Sequence, residues 1–248
     1  MISLWTPSLQ KIETALGGKM RLVGGCVRDY LLGKMPEDID IATPLVPRTV
    51  MENLEKYHIR SRLLAPAHGV VEAFIGGESF EITTLRRDTY TTDGQEKITF
   101  ITDYRKDAPR RDFTINALYM DREGKIYDYF DGQADLKARV VRFIGEPLVR
   151  LREDPLRLLR YIRFWSLFGG EQPDPDILGC CPAIKGLLPR VSRKRLQKEL
   201  DKIALLPRQK VVQGILVRTG LMSYLKDIAS SGRSQQFFND LFLGGTNL

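Results

Sequence analysis

The stretch of residues 22–43 constrains the fold of this 248-residue chain more than any other. A short apolar run ends in Gly24 and Gly25, and the spacing predicts a short amphipathic helix followed by a strand that carries Asp38 and Asp40. Because side chains alternate along a strand, the two carboxylates are expected on one face and their isoleucine neighbours on the other, in a core. The stretch therefore predicts a strand, a glycine turn, a helix and a second strand as one unit.

The chemistry of this stretch indicates a metal site beside a phosphate site. Asp38 and Asp40 repel each other unless a cation lies between them, and hard oxygen ligands suit Mg²⁺, which also takes waters and substrate phosphates. Gly24 and Gly25 offer a backbone that a triphosphate can approach closely, and Arg28 at the start of the helix can clamp a phosphate. The alternative is a solvated strand end beside an ordinary turn.

The ordered set is more specific than its parts. The string GGCVRDYLLG followed by DIDIAT resembles the nucleotidyltransferase signature of the DNA polymerase beta superfamily. In its fuller form it is similar to the class II CCA-adding enzymes and bacterial poly(A) polymerases. The resemblance implies a Mg²⁺-dependent enzyme in which Asp38 and Asp40 are catalytic and hold the metal, while Gly24, Gly25 and Arg28 bind the nucleotide.

A third carboxylate is expected at Glu81. Residues 70–75 and 79–85 flank two glycines and predict a hairpin, and alternation places Glu81 on the face opposite Phe80 and Ile82. In the superfamily the acid pair lies on one strand and the third acid on a later one. The resemblance therefore implies a metal-site or general-base role for Glu81. A solvated glutamate on a half-buried strand is the alternative.

The string RRDFTINA at residues 110–117 closely resembles the second signature of the family. Arg111 can neutralise phosphate charge, and Asp112 and Asn116 can hydrogen-bond a ribose and so favour RNA precursors. On the alternative interpretation, Asp112 caps a helix and the arginines are solvated.

A third match lies at residues 153–164, within a helix predicted over residues 153–168. Asp154 accepts hydrogen bonds and Arg157 donates them, so the pair can mimic a Watson–Crick edge. The resemblance implies that this pair selects CTP and ATP without a nucleic acid template. At helical spacing they form a slanted, nucleotide-binding stripe with Arg160 and Arg163. The alternative is a solvated charged face, with Asp154 paired to Arg157 or Arg160.

The pattern of elements predicts an α+β fold in two parts. Strand signals stop near Gly145, so residues 1–145 are expected to form a nucleotidyltransferase head with a mixed β-sheet and flanking helices. Residues 146–248 are expected to form an all-α neck that selects nucleotides and binds RNA. Residues 86–109 read as a long polar connection with one strand-like piece at 98–101, and a last strand is expected at 140–144.

The composition limits the classes of partner. A net charge of +7 is compatible with a polyanionic partner. Three cysteines without paired metal-ligand spacing favour reduced thiols and a cytoplasmic location, and two histidines argue against a histidine-based metal site. No apolar run approaches the length of a membrane span and no N-terminal signal pattern is visible, so no membrane partner is expected.

The resemblance implies template-independent addition of CMP and AMP from CTP and ATP to an RNA 3′ end, with the tRNA acceptor as the expected substrate and pyrophosphate as the leaving group. Poly(A) polymerases and enzymes that add only CC or only A share these motifs. A small-molecule nucleotidyltransferase and a non-catalytic RNA-binding module are the alternatives from other classes. Family members are typically longer, with helical body and tail domains. A minimal enzyme, a truncated chain, and reliance on a partner protein or an oligomer therefore stay open.

Overall fold

The computed structural model describes residues 4–90, 96–229 and 232–243. It divides the chain into two compact units, Met1–Leu136 and Lys137–Leu248. The first contains all the strands of the described residues and the second is helical, so the predicted α+β class is confirmed. The division falls within a helix, and it lies before Gly145, near which the sequence predicts the boundary between the two parts.

The first unit is a mixed sheet with helices around it. Its helices are α1 (Pro7–Ala15), α2 (Gly25–Leu31), α3 (Pro47–Lys56), α4 (Tyr104–Asp107) and α5 (Gly132–Ala138), the last of which crosses the division. Its strands are β1 (Arg21–Val23), β2 (Asp40–Thr43), β3 (Arg60–Ala65), β4 (Val70–Ile75), β5 (Glu78–Thr84), β6 (Arg86–Tyr90), β7 (Glu96–Phe100), β8 (Leu118–Met120) and β9 (Ile126–Asp128).

Seven strands form the main sheet in the order β3-β4-β5-β2-β1-β8-β9. The β2–β5 pair is parallel and the other pairs are antiparallel. One face of the sheet carries alternate apolar side chains, including Leu22, Ile41 and Ile82, into a core shared with α1 and α3. The opposite face carries the residues between them, and this alternation separates the core from the polar face.

Local signals set the ends of the first helices. A threonine followed by a proline predicts the start of a helix, and the structure has this start: the Thr6 hydroxyl accepts a hydrogen bond from the Leu9 amide at 3.2 Å, and Pro7 occupies the first turn. Gly33, with φ of +69°, lies just beyond α2 and ends it. The hairpin predicted around Gly76 is present as β4 and β5.

Two predictions about strands in the first unit are wrong. Asp38 lies in a bend ahead of β2, not in the strand. On one side β1 reaches only Val23 before the chain turns at Gly24 and so offers no partner, and on the other side the pairing with β5 begins only at Asp40 although β5 extends further. The segment 86–109 is not a simple connection, because β6 and β7 pair as a separate two-stranded sheet and α4 follows. Residues 91–95 of that segment lie outside the described residues.

The second unit consists of helices. They are α6 (Pro147–Glu153), α7 (Leu156–Phe168), α8 (Pro175–Gly179), α9 (Cys181–Lys185), α10 (Arg193–Ile203), α11 (Gln209–Arg218), α12 (Met222–Lys226) and α13 (Gly232–Leu243). The sequence predicts Ser192 as the N-cap of a helix, and Ser192 caps α10 through its hydroxyl. Helix α10 packs against both α7 and α13.

Three local predictions for this unit are wrong. The single helix expected over 153–168 is broken at Asp154, because Pro155 disfavours helical backbone at the residue before it. Residues 140–144, all described, form no strand, although three of their apolar side chains are buried. Leu167, which the helical spacing predicts to lie in one apolar set with Leu156, Leu159 and Phe164, is 41% exposed.

Two further features concern the predictions about the cysteines and about the membrane. Cys26, Cys180 and Cys181 are free thiols. Across the described ranges, no helix has both the length and the apolar character that crossing a membrane requires.

Candidate active site

The polar face of the main sheet brings two of the predicted carboxylates side by side. Asp40 on β2 and Glu81 on β5 are directly paired in the parallel register, and Glu72 on β4 pairs with Glu81 on its other side. All three therefore project from one face, because residues in register on neighbouring strands point the same way. Glu72 is held by Arg62 at 2.6 Å, whereas Asp40 and Glu81 lie at exposed positions.

Asp38 and Asp40 interact electrostatically although Asp38 lies outside the strand. Partial desolvation raises the pKa of Asp40; the positive charge of Arg111 works against this and the negative charge of Asp38 adds to it. The described residues contain no cluster of three histidine, cysteine or acidic side chains that would enclose a metal ion by itself. The arrangement is that of a pair of carboxylates open to solvent.

The glycine turn between β1 and α2 brings its backbone close to two guanidinium groups. Gly24 adopts φ of +77° and ψ of −125°, a conformation that needs glycine. A Cβ at Gly24 would lie 3.6 Å from Arg111 Nη1, and a Cβ at Gly25 would lie 3.6 Å from Arg28 Nη2. Two cations therefore flank a backbone with no side chains, as the sequence motif suggests for a phosphate site.

Arg28 is fixed by its neighbours. Its Nε and Nη2 both lie 2.9 Å from Asp29 Oδ1, and its Nη1 donates to Asn116 Oδ1 at 2.6 Å. The side-chain amide of Asn116 in turn donates from Nδ2 to Asp112 Oδ1 at 3.0 Å. The same Asp112 oxygen also accepts from the backbone amide of Phe113 at 2.8 Å. Asn116 and Asp112, expected to bind a ribose, therefore join a buried network that ends at Arg28.

Sequence reasoning missed Asp107, which is completely buried behind Arg111. It accepts hydrogen bonds from the Arg86 amide, Arg110, Arg111 and Tyr119. Burial alone would raise the pKa of Asp107, but the two guanidinium groups and the hydrogen bonds outweigh burial and lower it. A signal was present, because Asp107 precedes the two arginines by three and four positions.

Asp154 and Arg157 in the second unit are bound to other residues of that unit. Asp154 Oδ1 accepts from the Leu156 amide at 3.2 Å, and its Oδ2 accepts from Arg195 at 2.7 Å. Arg157 Nη1 donates to the Arg150 carbonyl oxygen at 2.9 Å and to Glu153 at 2.6 Å. The structure therefore does not form a stripe of four charged side chains along one helix.

The remaining members of the expected stripe also contact protein. Arg163 pairs with Glu199 of α10 at 2.5 Å, in a contact where both side chains are nearly buried, and its guanidinium lies 4.2 Å from the Phe164 ring centroid. Arg160 lies 5.4 Å from the same ring centroid. Arg163 therefore contributes to packing between α7 and α10.

The mixed sheet, the glycine turn and the carboxylates together define a nucleotidyltransferase head. Residues 20–142 match the family described as the poly A polymerase head domain. A mitochondrial CCA tRNA nucleotidyltransferase 1 from Danio rerio is 40% identical over 188 residues, which cover 75% of this chain and 44% of that protein. A CCA-adding enzyme from Lactobacillus delbrueckii subsp. bulgaricus is 37% identical over 240 residues, which cover 96% and 59%.

A solved structure supports the same assignment. The Bacillus stearothermophilus CCA-adding enzyme in complex with CTP superposes with a TM-score of 0.77 at 32% identity, covering 91% of this chain and 56% of that one. The chain thus belongs to the family of class II CCA-adding enzymes and bacterial poly(A) polymerases. It spans about half the length of the curated relatives it matches.

Proposed function

We propose that this chain carries the catalytic part of an enzyme that adds CMP and AMP to the 3′ end of tRNA, using CTP and ATP and releasing pyrophosphate. One observation carries the proposal: a pair of carboxylates lies beside a glycine turn flanked by two guanidinium groups. The transfer of a nucleotide from a triphosphate requires such an arrangement, in which a metal-binding site lies next to a site that binds the polyphosphate.

The carboxylate pair fits a divalent metal, and we propose Mg²⁺. Magnesium is commonly held by one or two carboxylates, with waters and substrate phosphates as its other ligands, so a cage of three protein ligands is not needed. Asp38 and Asp40 would hold it. When bound, the metal lowers the pKa of the attacking hydroxyl and neutralises developing charge. The proximity of the two carboxylates supports this fit: desolvation raises the pKa of Asp40 most, and the negative charge of Asp38 adds to the rise.

The other head residues have distinct proposed roles. The terminal hydroxyl of the RNA attacks the α-phosphate, and the bond to the pyrophosphate breaks. Gly24, Gly25, Arg28 and Arg111 bind the triphosphate, because their amide and guanidinium groups surround one turn. Glu81, in register with Asp40, is the candidate third carboxylate or general base.

The network of Asp112 and Asn116 supports a more limited role in ribose binding than the sequence suggested. Asn116 uses its carbonyl oxygen on Arg28 and its amide on Asp112. We therefore propose that Asn116 acts through Arg28, and that Asp112 is the residue of the two that contacts the ribose.

Nucleotide choice is proposed to lie with Asp154 and Arg157. CTP and ATP each offer an amino donor beside a ring-nitrogen acceptor, which one carboxylate and one guanidinium can read. Because Arg195 and Glu153 hold these side chains, reading a base requires that they exchange partners. Arg160 and Arg163 are proposed to compensate phosphate charge, although Arg163 must first leave Glu199.

The deciding experiment offers the protein a tRNA that lacks its CCA end, with each labelled nucleotide separately and in pairs. Addition of two C residues followed by one A supports the proposal. A long A tail indicates a poly(A) polymerase, and addition of C only or of A only indicates an enzyme with one of those restricted activities. No transfer to any RNA, together with transfer to a small molecule or with RNA binding alone, contradicts it.

Cytoplasmic location is also a proposal, supported by the free thiols. The use of a partner protein or a second copy to hold the tRNA stays a prediction from the sequence.

A further inference from the structure

Two buried polar residues behind Arg111 have no part in the chemistry proposed above. Asp107 ends α4 and Tyr119 lies in the middle of β8, and both are 0% exposed. A buried carboxylate and a buried phenol are costly unless their hydrogen bonds are made. The hydrogen-bond partners of Asp107 and Tyr119 therefore indicate the role of these two residues.

The two oxygens of Asp107 face different groups. Oδ1 accepts from the Arg86 backbone amide at 2.9 Å and from Arg110 Nε at 2.8 Å, which ties the carboxylate to the first residue of β6. Oδ2 accepts from the Tyr119 hydroxyl at 2.7 Å and from Arg111 Nη2 at 3.4 Å. One oxygen is thus anchored, and the other is directed at Arg111.

The Tyr119 hydroxyl bridges the same two partners. It donates to Asp107 and accepts from Arg111 Nε at 3.1 Å. Burial raises the pKa of Tyr119, so its hydroxyl stays protonated and able to donate. Its ring is held edge-on by Tyr104 at a centroid distance of 5.5 Å and flanked by Tyr129 at 6.0 Å.

The Arg111 guanidinium is therefore bound on two of its nitrogens from behind. Its Nε contacts Tyr119, its Nη2 contacts Asp107, and its Nη1 is the nitrogen nearest to Gly24. A planar guanidinium held at two nitrogens has its orientation fixed.

We propose that Asp107 and Tyr119 are positioning residues for Arg111, fixing its guanidinium so that the Nη1 edge faces the triphosphate at Gly24. The inference rests on the proposed function, because it takes Arg111 as a phosphate ligand. A side chain that is ordered before the substrate arrives loses less conformational entropy on binding. The pair therefore acts on the KM for nucleotide, and the reacting groups are left unchanged.

The first test compares Tyr119→Phe with Tyr129→Phe, which removes a hydroxyl that contacts Arg21 and not Arg111. Tyr119→Phe is expected to raise the KM for CTP about tenfold, the effect of losing one hydrogen bond to a charged group, with kcat little changed. Asp107→Asn is expected to raise it further, and Tyr129→Phe to keep the parent value. In an Arg111→Ala background, adding Tyr119→Phe should change nothing more. An equal rise in that background overturns the inference.

The second test does not depend on activity. The Arg111 Nε–H resonance, identified by its loss in Arg111→Lys, is expected to exchange slowly with solvent in the parent and in Tyr129→Phe, and about tenfold faster in Tyr119→Phe. Unchanged exchange in Tyr119→Phe overturns the inference. If the parent transfers no nucleotide to any RNA, the proposed function fails, while the exchange rates still decide whether Tyr119 positions Arg111.

Discussion

The exposed carboxylates of the candidate metal site in the first unit and the charged residues around α7 in the second unit have opposite surroundings. In the first, Asp40 lies at the start of the central strand β2 beside Asp38, both residues are exposed, and the pKa of Asp40 is raised. In the second, charged residues around α7 form salt bridges, as with Arg157 and Glu153 or Arg163 and Glu199. The sequence predicts that both sets of charged residues bind substrate, but the charges that surround the two sets differ.

The difference teaches where a ligand is needed. Paired charges neutralise one another, so a helical unit that contains them does not need a bound substrate to balance its charge. Like charges held next to each other oppose folding and are kept where a bound cation supplies the missing charge. The contrast favours the head as the place of chemistry, and it predicts that the charged residues of the second unit also contribute to stability.

The largest expected effect is loss of transfer in the first unit. Asp40→Asn or Asp38→Asn is expected to lower kcat at least about a thousandfold, because a metal ligand that stabilises transition-state charge is lost. The midpoint of thermal unfolding should not fall, since both residues are exposed. Glu78→Gln, an exposed carboxylate at the start of β5, is the matched control and should keep parent activity. Near-parent transfer by either variant would remove these aspartates from the metal site.

The next effect is on stability in the second unit. Arg163→Ala leaves Glu199 buried without its partner, so the free energy of unfolding is expected to fall by about 3 kcal/mol. Urea titration measures this fall, and replacing both residues with apolar ones, Arg163→Met with Glu199→Leu, should recover most of it. Full stability of Arg163→Ala, combined with a changed use of nucleotides, would instead make Arg163 a substrate contact and weaken the comparison.

A smaller effect concerns the choice of base. Asp154→Ala is expected to relax discrimination against UTP and GTP about tenfold, because their carbonyl groups no longer face a carboxylate. Arg157→Ala is expected to weaken the use of CTP and ATP together, and Arg195→Ala to free Asp154 without abolishing selection. Single-nucleotide incorporation onto tRNAs lacking the final A or the final CA measures all three. If Asp154→Ala loses activity but keeps the parent's ranking of the four bases, selection lies elsewhere.

Much of the fold follows from local signals in the sequence. Thr6 with Pro7, the glycines around Gly76, and Ser192 each set an element end through short-range hydrogen bonds or backbone conformation, and the structure has these ends. Predictions failed where the partner decided the outcome. Asp38 has a strand pattern, but the pairing of β2 begins only at Asp40, and β6 is a strand only because β7 pairs with it.

The candidate site was predictable as a set of residues but not as a geometry. The motifs named Asp40 and Glu81, yet their side-by-side register depends on the parallel pairing of β2 with β5, which no local pattern specifies. Asp107 was missed because its spacing to Arg110 and Arg111 suggests an ion pair but does not show that the carboxylate is buried. The break before α7 was visible in advance, because Pro155 follows Asp154 directly.

The smallest expected effect compares the pH dependence of stability at two aspartates of the first unit. Asp40 has a raised pKa, so its ionisation costs stability as pH rises above the ordinary aspartate value of 3.8. Without metal, Asp40→Asn is therefore expected to raise the unfolding midpoint slightly at neutral pH and to leave it unchanged below that value. Asp107 has a lowered pKa, and its contribution has the opposite sign, present above 3.8 and lost as pH falls below it. Thermal unfolding in EDTA from pH 3 to 8, with Glu78→Gln as the control, measures how the contributions of Asp40 and Asp107 to stability depend on pH. If Asp40→Asn lowers the midpoint at neutral pH, the carboxylate pair is a stabilising feature of the head, and the contrast between the two units does not hold.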